Sequence, residues 1–291
     1  MRSLLSLSLV AIALVIAGCG SDDSGSSAGS SSSAGASTAT TQAAACDKAQ
    51  LDLQRAGTLT VGTDKPAFPP YFEDDDPTNG RGFESAVAYA VARELGFSRD
   101  QVRWTTVPFN SSYAPGAKRF DFDINQISIT PQRARRVDFS QPYFSAPQAV
   151  IAPKGSPVES ATSLAELQKA KVGVQVGTTS LDAVNASIRP SAQPQVFNDS
   201  NDTVRALKNG RVDAIVTDLP SAFFITAAQV PGSKIVGQFA APGGDRWGLL
   251  LQKGSSLTPC VNQAVAQLRS SGELQRLQDR WMGGDAAPEL R

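Results

Sequence analysis

The sequence predicts an α/β protein in which two lobes are joined by two extended segments. Three observations lead to this fold class: predicted strands alternate with predicted helices, the alternation occurs in two successive series, and the chain crosses between the series twice. Strands that alternate with helices form sheets with parallel strands. Such open sheets usually bind ligands beside the carboxyl ends of their strands, so we expect a ligand cleft between the lobes.

The first series contains three predicted strands and one predicted helix. The segments GTLTVGTD, QVRWTTVPF and FDFDINQISIT predict strands over residues 57–64, 101–109 and 120–130. Between the first two strands, residues 82–97 carry apolar side chains four positions apart, which predicts a helix. Gly96 is a natural end for this helix, because glycine tolerates the backbone conformation that often closes a helix.

The second series repeats the alternation. The segment KVGVQVGTTS, residues 171–180, predicts a strand that ends in a Gly-Thr-Thr turn. Residues 193–218 then read as strand, helix and strand, and Asp218 stands at the end of the last strand. Pro220 is expected to open another helix, because proline is well accommodated in a first helical turn.

Two extended segments connect the series, at residues 145–153 and 245–253. Residues 256–282 then predict two helices, broken near residues 270–272, that pack on the first lobe. The chain therefore leaves the first lobe, builds the second and returns. The expected domain boundaries are residues 46–147 and 243–291 for the first lobe and residues 148–242 for the second.

The composition argues against several classes of function. The 291 residues include 27 Lys plus Arg and 27 Asp plus Glu, so the net charge is zero, which argues against bulk nucleic-acid binding. The chain has no histidine, which removes Ser-His-Asp and Cys-His catalysis and histidine-ligated metals. Catalysis through carboxylates, lysine or tyrosine stays open. We expect no cofactor, no metal and no nucleic-acid partner.

The first residues predict export and a membrane anchor. Residues 1–19 combine one arginine, an apolar run and a small-residue end, the pattern of a secretory signal peptide. Their last residues, IAGC, resemble the bacterial lipobox, whose cysteine, here Cys19, is lipidated; an ordinary signal peptide with a chance cysteine is the alternative. Residues 20–45 are almost entirely Ser, Gly, Ala and Thr. They predict a flexible linker of roughly 25–30 Å that tethers the folded part outside the cell membrane.

Two further cysteines, Cys46 and Cys260, predict a disulfide, because export places the chain in an oxidising compartment. The bridge would join the start of the folded part to a segment near its end. For so long a loop the chain-entropy estimate of its stabilisation is about 5 kcal/mol. The alternative is a pair of unrelated buried thiols.

The stretch QISITPQRARRVDFSQPYF, residues 126–144, has an arginine where a helix would prefer an acid. Thr130 is a good N-cap and Pro131 fits the first helical position, so Arg133 lies in the first turn. A cation there is unfavourable by roughly 0.3–1 kcal/mol at an exposed site, because that helix end carries partial positive charge. An anionic ligand beside the arginine would explain its placement.

Six motifs, in this order, resemble the family 3 extracellular solute-binding proteins, in particular the class that serves importers of polar amino acids. They are VGTD with PPYF, GFESAVAYAVARELG, the arginine-containing stretch above, VGVQVGTTS, VDAIVTD and GELQRLQDRWM, and the resemblance covers residues 46–282. It implies a monomeric clamp of the two-lobed, type II periplasmic-binding-protein kind, without enzymatic activity. Such a clamp closes on one small molecule, here an amino acid, and delivers it to the permease of an ABC transporter.

The resemblance also implies which residues hold the backbone of the amino acid. Arg133 corresponds to the arginine that pairs with the α-carboxylate, a role suited to the two parallel donors of a guanidinium. Ser128 corresponds to a residue whose backbone N–H and hydroxyl meet the ligand, and Thr179 to a backbone donor to the carboxylate. Asp218 corresponds to the acid that accepts the α-ammonium group.

Other residues are expected to face the side chain of the ligand. Phe109 corresponds to an aromatic wall, with Phe68 or Tyr71 opposite. Asp64, Asn125 and Gln126 are the positions expected to select the side chain of the ligand. The sequence does not rank glutamate, glutamine, aspartate, arginine or another polar amino acid.

Two positions depart from the family pattern. Gln126 stands where most members have a glycine, whose carbonyl meets the ammonium group, and Glu84 stands in the first helix where the acid is usually aspartate. The backbone contact at Gln126 can survive, so these departures leave the amino-acid class intact. They leave the identity of the amino acid open.

The proposed contacts also have ordinary structural interpretations. Arg133 could be a solvated helix arginine, Asp218 could cap the following helix, and Asp64 could be a turn residue. The three aromatic residues could belong to a core. Two other functions stay open for the whole chain: cyclohexadienyl dehydratases resemble this fold and need only acids and polar residues, and a ligand-binding sensory component could use it too.

Overall fold

The computed structural model describes residues 46–283 and 286–291. The predicted signal peptide, the predicted lipidation site at Cys19 and the linker of residues 20–45 lie outside the described residues. Within the described part of the chain, none of the helices is long and apolar enough to cross a membrane. Two lobes are present, each built around a five-stranded sheet, which confirms the predicted fold class.

The first sheet combines parallel and antiparallel strands. Its strands are β1 Leu59–Thr63, β2 Val102–Thr106, β3 Phe122–Asp123, β4 Val137–Ser145 and, much later in the chain, β10 Arg246–Gln252. Their order across the sheet is β2-β1-β3-β10-β4. β1 pairs in parallel with β2 and β3, whereas β10 runs antiparallel to β3 and β4. The chain therefore returns to the first sheet after it has built the second lobe.

The second sheet has the same plan. Its strands are β5 Gln148–Pro153, β6 Val172–Gln175, β7 Gln195–Phe197, β8 Ala214–Asp218 and β9 Ser233–Phe239. Their order is β7-β6-β8-β5-β9. β6 pairs in parallel with β7 and β8, and β5 runs antiparallel to β8 and β9. In both lobes the parallel strands end on one edge, where a ligand is expected.

The helices cover the predicted segments and several shorter ones. They are α1 Phe83–Glu94, α2 Phe109–Ser112, α3 Pro131–Ala134, α4 Thr179–Ala183, α5 Ser200–Lys208, α6 Leu219–Phe224, α7 Thr258–Ser270 and α8 Glu273–Trp281. α4 and α6 continue as π-helices over Val184–Ile188 and Ile225–Gln229. Short 3-10 helices span Lys48–Gln50, Pro77–Asn79, Arg99–Gln101 and Ala165–Lys169. The break between α7 and α8 lies where the sequence predicted it.

The strand predicted over residues 120–130 is much shorter in the structure. Only Phe122 and Asp123 pair as a strand. Gln126 then has a φ of 48°, in the left-handed region, so the chain turns out of the sheet. Ser128 regains one isolated bridge to β10. The residues between β3 and α3 are therefore available to face a ligand instead of pairing along their whole length.

The two crossings between the lobes lie side by side. The first joins β4 to β5 through Ala146 and Pro147, and the second enters β10 from Asp245. The backbone N–H of Ala146 donates to the carbonyl oxygen of Asp245 at 3.0 Å. Both predicted extended connections are therefore present, and this hydrogen bond ties them together.

Trp247 is central to the core of the first lobe. It is the largest of the fully buried side chains and lies near the start of β10. The rings of Tyr71, Tyr143 and Phe144 surround it, with centroids 5.6, 6.4 and 4.8 Å away. Aromatic side chains bury much apolar area at such contacts, so they fix where β10 re-enters the lobe.

Cys46 and Cys260 form the predicted disulfide, with their Cα atoms 5.3 Å apart. Cys260 belongs to the apolar core of the first lobe, and Cys46 packs against that core. The bridge therefore fastens the start of the described chain to α7, and the alternative of two unrelated thiols is wrong.

Residues 286–291 pack on the second lobe, although the expected boundaries placed them in the first. The N–H of Leu290 donates to the carbonyl oxygen of Gln238 at 2.9 Å, and the N–H of Gln238 donates to that of Pro288 at 2.7 Å. Leu290 is 5% exposed and joins the apolar core of the second lobe. Gly237 leaves room for it, since a Cβ there would lie 2.6 Å from Leu290 Cγ. The expected boundary is therefore wrong for these residues.

We expect Leu290→Ala to lower the free energy of unfolding by about 2–3 kcal/mol, because it removes buried apolar volume from the second lobe. Glu289→Ala is the matched control, since Glu289 is exposed and its change should stay within about 0.5 kcal/mol of the parent. Urea unfolding followed by circular dichroism measures both. Equal stability of both variants and the parent would show that residues 286–291 do not dock in solution.

Candidate functional site

A cavity of about 420 Å³ lies between the lobes. Both lobes line it with residues that follow the carboxyl ends of their parallel strands, which is where open α/β sheets bind ligands. Its volume falls in the range of small-molecule sites. The lining residues that matter below are Asp64, Phe68, Phe109, Asn125, Gln126 and Ser128 from the first lobe and Thr179, Asp199, Asp218 and Ser221 from the second.

Arg133 lies in the first turn of α3 and is buried. The hydroxyl of its N-cap, Thr130, accepts the Arg133 N–H at 3.2 Å, as predicted. The guanidinium donates to the carbonyl oxygens of Ser128 at 2.8 Å and of Gly177 at 2.9 Å, so it joins the two lobes. Burial lowers the pKa of this guanidinium. Since Arg133 is only 7% exposed, the alternative of a solvated helix arginine is wrong.

Aromatic rings enclose the same guanidinium. It lies 5.4 Å from the ring centroid of Phe109 and 4.7 Å from that of Tyr113, within the range of cation–π attraction. Arg133 itself is not among the described residues that line the cavity. In this arrangement the carbonyl oxygen of Gly177, from the second lobe, accepts a hydrogen bond from the guanidinium. The sequence suggested an anionic ligand for that donor.

A pair of hydroxyl groups bridges the cleft. Ser128 Oγ, from the first lobe, lies 3.2 Å from Thr179 Oγ1, from the second. Thr179 is the first residue of α4, and the hydroxyl of Thr178 caps this helix by accepting the N–H of Leu181 at 3.2 Å. The Gly-Thr-Thr turn therefore leads into a helix. It places Thr179 beside Ser128, which is expected to contact the same ligand.

Asp218 ends β8 and is held by a buried amide. Its Oδ1 accepts a hydrogen bond from Gln148 Nε2 at 2.7 Å, and the same nitrogen donates to Asp245 Oδ2 at 2.6 Å. Asp218 occupies the N-cap position of α6, but its side chain makes no capping hydrogen bond, so the helix-cap interpretation is wrong. Burial, and then the nearby Asp245 carboxylate, raise the pKa of Asp218 well above its usual value. A cation that reached Asp218 would oppose both effects.

Asp64 and two phenylalanines form a wall on the first lobe. Asp64 Oδ2 accepts the N–H of Phe109 at 3.0 Å, and its Oδ1 accepts the N–H of Lys65 at 2.7 Å. Asp64 is therefore both a turn residue and a lining residue. Phe68 faces Phe224 of the second lobe, with ring centroids 5.9 Å apart. Phe68 and Phe109 both line the cavity instead of lying entirely within a core.

Tyr71 is a core aromatic in this structure. It is 3% exposed, packs edge-on against Trp247 and is absent from the described lining of the cavity. Its hydroxyl nevertheless lies 2.9 Å from the hydroxyl of Ser221, across the cleft. Burial raises the pKa of Tyr71 well above its usual value. The expected role of Tyr71 as a wall is thus corrected to that of a contact between the lobes.

Gln126 and Glu84, the two positions that depart from the family pattern, are hydrogen-bonded to each other. The N–H of Gln126 donates to Glu84 Oε1 at 2.7 Å, and its side-chain amide donates to Glu84 Oε2. The hydroxyl of Tyr143 also donates to Glu84. Burial raises the pKa of Glu84 to about 7, although these hydrogen bonds oppose the shift. The amide of Gln126 is therefore bound inside the first lobe, although the residue lines the cavity.

Carboxylates outnumber basic groups on the wall of the cavity. Among the described lining residues, the acids are Asp64, Asp199 and Asp218, and the base is Lys65. The ammonium of Lys65 pairs with Asp75 at 3.2 Å, which offsets its charge. The wall therefore has a negative balance, which favours a ligand that carries positive charge.

Sequence reasoning missed three residues at this site: Gln148, Asp199 and Asp245. Asp199 could have been found, because it follows the short strand of residues 195–197 at its carboxyl end. Gln148 and Asp245 lie on different crossings, 97 residues apart, and no local pattern pairs them. Only the pairing of the two crossings brings their side chains together.

Known proteins resemble this chain in sequence. The sequence profile of bacterial extracellular solute-binding proteins, family 3, matches residues 59–284. The chain is 28% identical to the L-cystine-binding protein TcyJ of Escherichia coli (strain K12), over 80% of this chain and 85% of that protein. It is 27% identical to the arginine-binding extracellular protein ArtP of Bacillus subtilis (strain 168), over 78% of this chain and 87% of that protein.

Solved structures show the same similarity. An ancestral arginine-binding protein bound to arginine is 35% identical, with a TM-score of 0.65, and the alignment covers 78% of this chain and 99% of that one. The ancestral amino acid-binding protein AncCDT-1, described as a precursor of cyclohexadienyl dehydratase, is 31% identical, with a TM-score of 0.63. That alignment covers 78% of this chain and 95% of the other.

The raised pKa of Glu84 predicts that stability falls as pH rises. Because its folded pKa is about 7, against an ordinary value of 4.5, the folded state holds the proton after the unfolded chain has lost it. The contribution is complete below about pH 4.5 and is lost as pH rises to about 7, by up to about 3 kcal/mol. Urea unfolding at pH 4.5, 6 and 8 measures this fall.

The matched control is Glu84→Gln, which cannot ionise. The buried Asp123 and the half-buried Asp218 also have raised pKa values and add to the fall in the parent. The difference in slope between parent and variant therefore isolates Glu84. Identical pH slopes would contradict the assignment, whatever the stability of the variant at a single pH.

Proposed function

The chain belongs to the bacterial extracellular solute-binding proteins, family 3, and from that premise we propose that it binds a polar amino acid outside the cytoplasmic membrane for an ABC importer. Its relatives include proteins named for the binding of cystine and arginine. The observation that carries the proposal is a cavity between two lobes that is lined by the acid Asp218 and by Ser128, whose carbonyl oxygen binds the buried guanidinium of Arg133. An amino acid carries the complementary pair of charges.

The proposed binding mode uses both lobes. The α-carboxylate pairs with Arg133 and lies near the backbone N–H groups of Ser128 and Thr179, while the α-ammonium pairs with Asp218. Support comes from the burial of Arg133 and from the raised pKa of Asp218, which a cationic partner would lower. A ligand that contacts both lobes stabilises their closed arrangement, and closure then reports occupancy to the permease.

Direct contacts between the lobes favour the closed arrangement as well. Ser128 meets Thr179, the hydroxyl of Tyr71 meets Ser221, and Arg133 donates to the second lobe. Each contact is modest by itself, because net hydrogen-bond energies are about 1 kcal/mol. The ligand therefore adds its contacts to a closed state that is partly stabilised already.

The charges on the wall support a ligand with a basic or neutral side chain. With Asp218 assigned to the α-ammonium group, Asp64 and Asp199 are the acids left to face the side chain, while Lys65 is paired elsewhere. Like charges disfavour one another in a cavity with little water. We therefore place arginine and lysine before glutamine, and glutamine before glutamate and aspartate.

The N-terminal segment supports a location at the membrane. We propose that Cys19 carries the lipid anchor, that residues 20–45 act as a flexible tether, and that the protein works as a monomer beside its permease. Net neutral charge and a tether of roughly 25–30 Å suit a carrier that must reach the permease repeatedly. Mass spectrometry of the protein from the membrane fraction tests the anchor. The expected result is an N-terminal Cys19 that carries a lipid.

A thermal-shift screen of residues 20–291 against the common amino acids tests the proposed function. The protein is first unfolded and refolded to remove any bound ligand. An amino acid at 100 times its Kd should stabilise the fold by about 2.7 kcal/mol, with arginine or lysine shifting the Tm more than glutamate. Prephenate is the control for a dehydratase, and it should be neither bound nor turned over. No shift with any amino acid would contradict the proposal.

Arg133→Ala should weaken binding of the amino acid by about 2–5 kcal/mol, because the ligand carboxylate would be buried without its partner. Arg135→Ala is the matched control: Arg135 is two residues away and exposed, so its loss should change binding by less than about 0.5 kcal/mol. Isothermal titration calorimetry measures both. Parent-like affinity in Arg133→Ala would rule out its proposed role.

A further inference from the structure

Asp245 is a buried carboxylate beside the cavity for which no motif provides a role. It is 1% exposed and begins the second crossing, just before β10. Its Oδ2 accepts two hydrogen bonds, from Gln148 Nε2 at 2.6 Å and from the hydroxyl of Thr179 at 2.9 Å. Its Oδ1 is buried and has no hydrogen-bond partner among the residues that the structure describes. Such a group is costly, which calls for a reason to retain it.

Asp245 fixes the direction of the hydrogen bonds across the cleft. A hydroxyl has one proton, and Thr179 donates its proton to Asp245. Thr179 Oγ1 can then only accept from Ser128 Oγ, which lies 3.2 Å away. Because Ser128 donates its own proton to Thr179, its hydroxyl turns lone pairs towards the cavity and can act there only as an acceptor.

The side-chain amide of Gln148 is oriented in the same way. Its nitrogen donates to Asp245 Oδ2 at 2.6 Å and to Asp218 Oδ1 at 2.7 Å. The opposite orientation would place the amide oxygen against two carboxylate oxygens, and no hydrogen bond would form. With Oδ1 of Asp218 held in this way, the second oxygen of this lining residue is left to accept from a ligand.

We propose that Asp245 is a positioning residue that orders these hydrogen bonds so that the cavity presents acceptors to the ammonium group of the ligand. It acts through Thr179 on Ser128. It acts through Gln148 on Asp218. The inference rests on the proposed function, because it takes the ligand to be an amino acid. An ammonium group has three donors and no acceptor, so two ordered acceptors select it.

Asp245 does not contact the ligand in this arrangement. It is 1% exposed and does not belong to the described lining of the cavity. Its own backbone is fixed, since its carbonyl oxygen accepts the N–H of Ala146 from the other crossing at 3.0 Å. The carboxylate therefore has a defined position where the two crossings meet, from which it reaches groups on both sides of the site.

The test measures how strongly each variant of residues 20–291 prefers an amino acid over the same molecule without its ammonium group. The probe pairs are L-arginine with 5-guanidinopentanoate and L-glutamine with 4-carbamoylbutanoate, and calorimetry gives the Kd values. Asp245→Ala removes the acceptor and should reduce the preference about tenfold, the effect of losing one well-placed hydrogen bond to a charged group. The affinity for the probe without the ammonium group should change much less.

Asp245→Asn is the conservative variant. Its amide oxygen can still accept from Thr179 and Gln148, so the preference should return to within about threefold of the parent, a difference of less than one net hydrogen bond. Thr179→Val removes the hydroxyl that carries the effect to Ser128 and should lose preference as Asp245→Ala does. If circular dichroism shows that Asp245→Ala does not fold, Thr179→Val provides the test in its place.

The outcomes separate this inference from the proposed function. If the parent binds an amino acid and the preference is unchanged in Asp245→Ala and Thr179→Val, the inference is overturned and amino-acid binding stands. An equal loss for both members of a probe pair also overturns it, since that result shows a general structural role. If the parent binds neither amino acid nor any other in the screen, the proposed function fails and the inference fails with it.

Discussion

The buried guanidinium of Arg133 is the constraint on which the closed arrangement of the lobes depends. A cation that is 7% exposed has lost most of its water, and the protein must supply acceptors instead. It supplies them from both lobes: the carbonyl of Ser128 from the first and that of Gly177 from the second. Separation of the lobes would remove the second acceptor. The free energy of opening therefore depends on how well water replaces one carbonyl beside this charge.

The acids of the cleft pose the complementary problem. Asp218 is half-buried and Asp245 is buried, and the two share one amide nitrogen, that of Gln148. Asp245 raises the pKa of Asp218, and Arg133 opposes this only in part. In an empty cavity the pKa of Asp218 is therefore raised, and a nearby cation would lower it. A zwitterion can neutralise the charges of both Arg133 and Asp218. An ion of single sign would attract one of these groups and repel the other.

Local patterns predicted the elements because capping and apolar periodicity are local. Thr130 caps its helix as its sequence context indicates, and the break between the last two helices is where it was predicted. Contacts between distant segments were beyond such patterns. The strand that ends at Asp123 is short because Gln126 turns towards Glu84, 42 residues away in the sequence. The expected role of Arg133 came from the resemblance to a family, while its carbonyl partner in the second lobe is visible only in the folded chain.

A carboxylate that approaches Arg133 competes with the carbonyl of Gly177. A charged acceptor forms a hydrogen bond roughly twice as strong as a neutral one, so the exchange is favourable, but the ligand gains only the difference. The carbonyl of Gly177 lowers the free energy needed to close the lobes without a ligand. The closing step then weakens the apparent affinity for the ligand less. An empty clamp that closes would also resemble a loaded one to the permease. In the proposed mode the distinction between them then rests on Asp218, because its donor in the empty cavity is the neutral amide of Gln148, which does not replace the charge of an ammonium group.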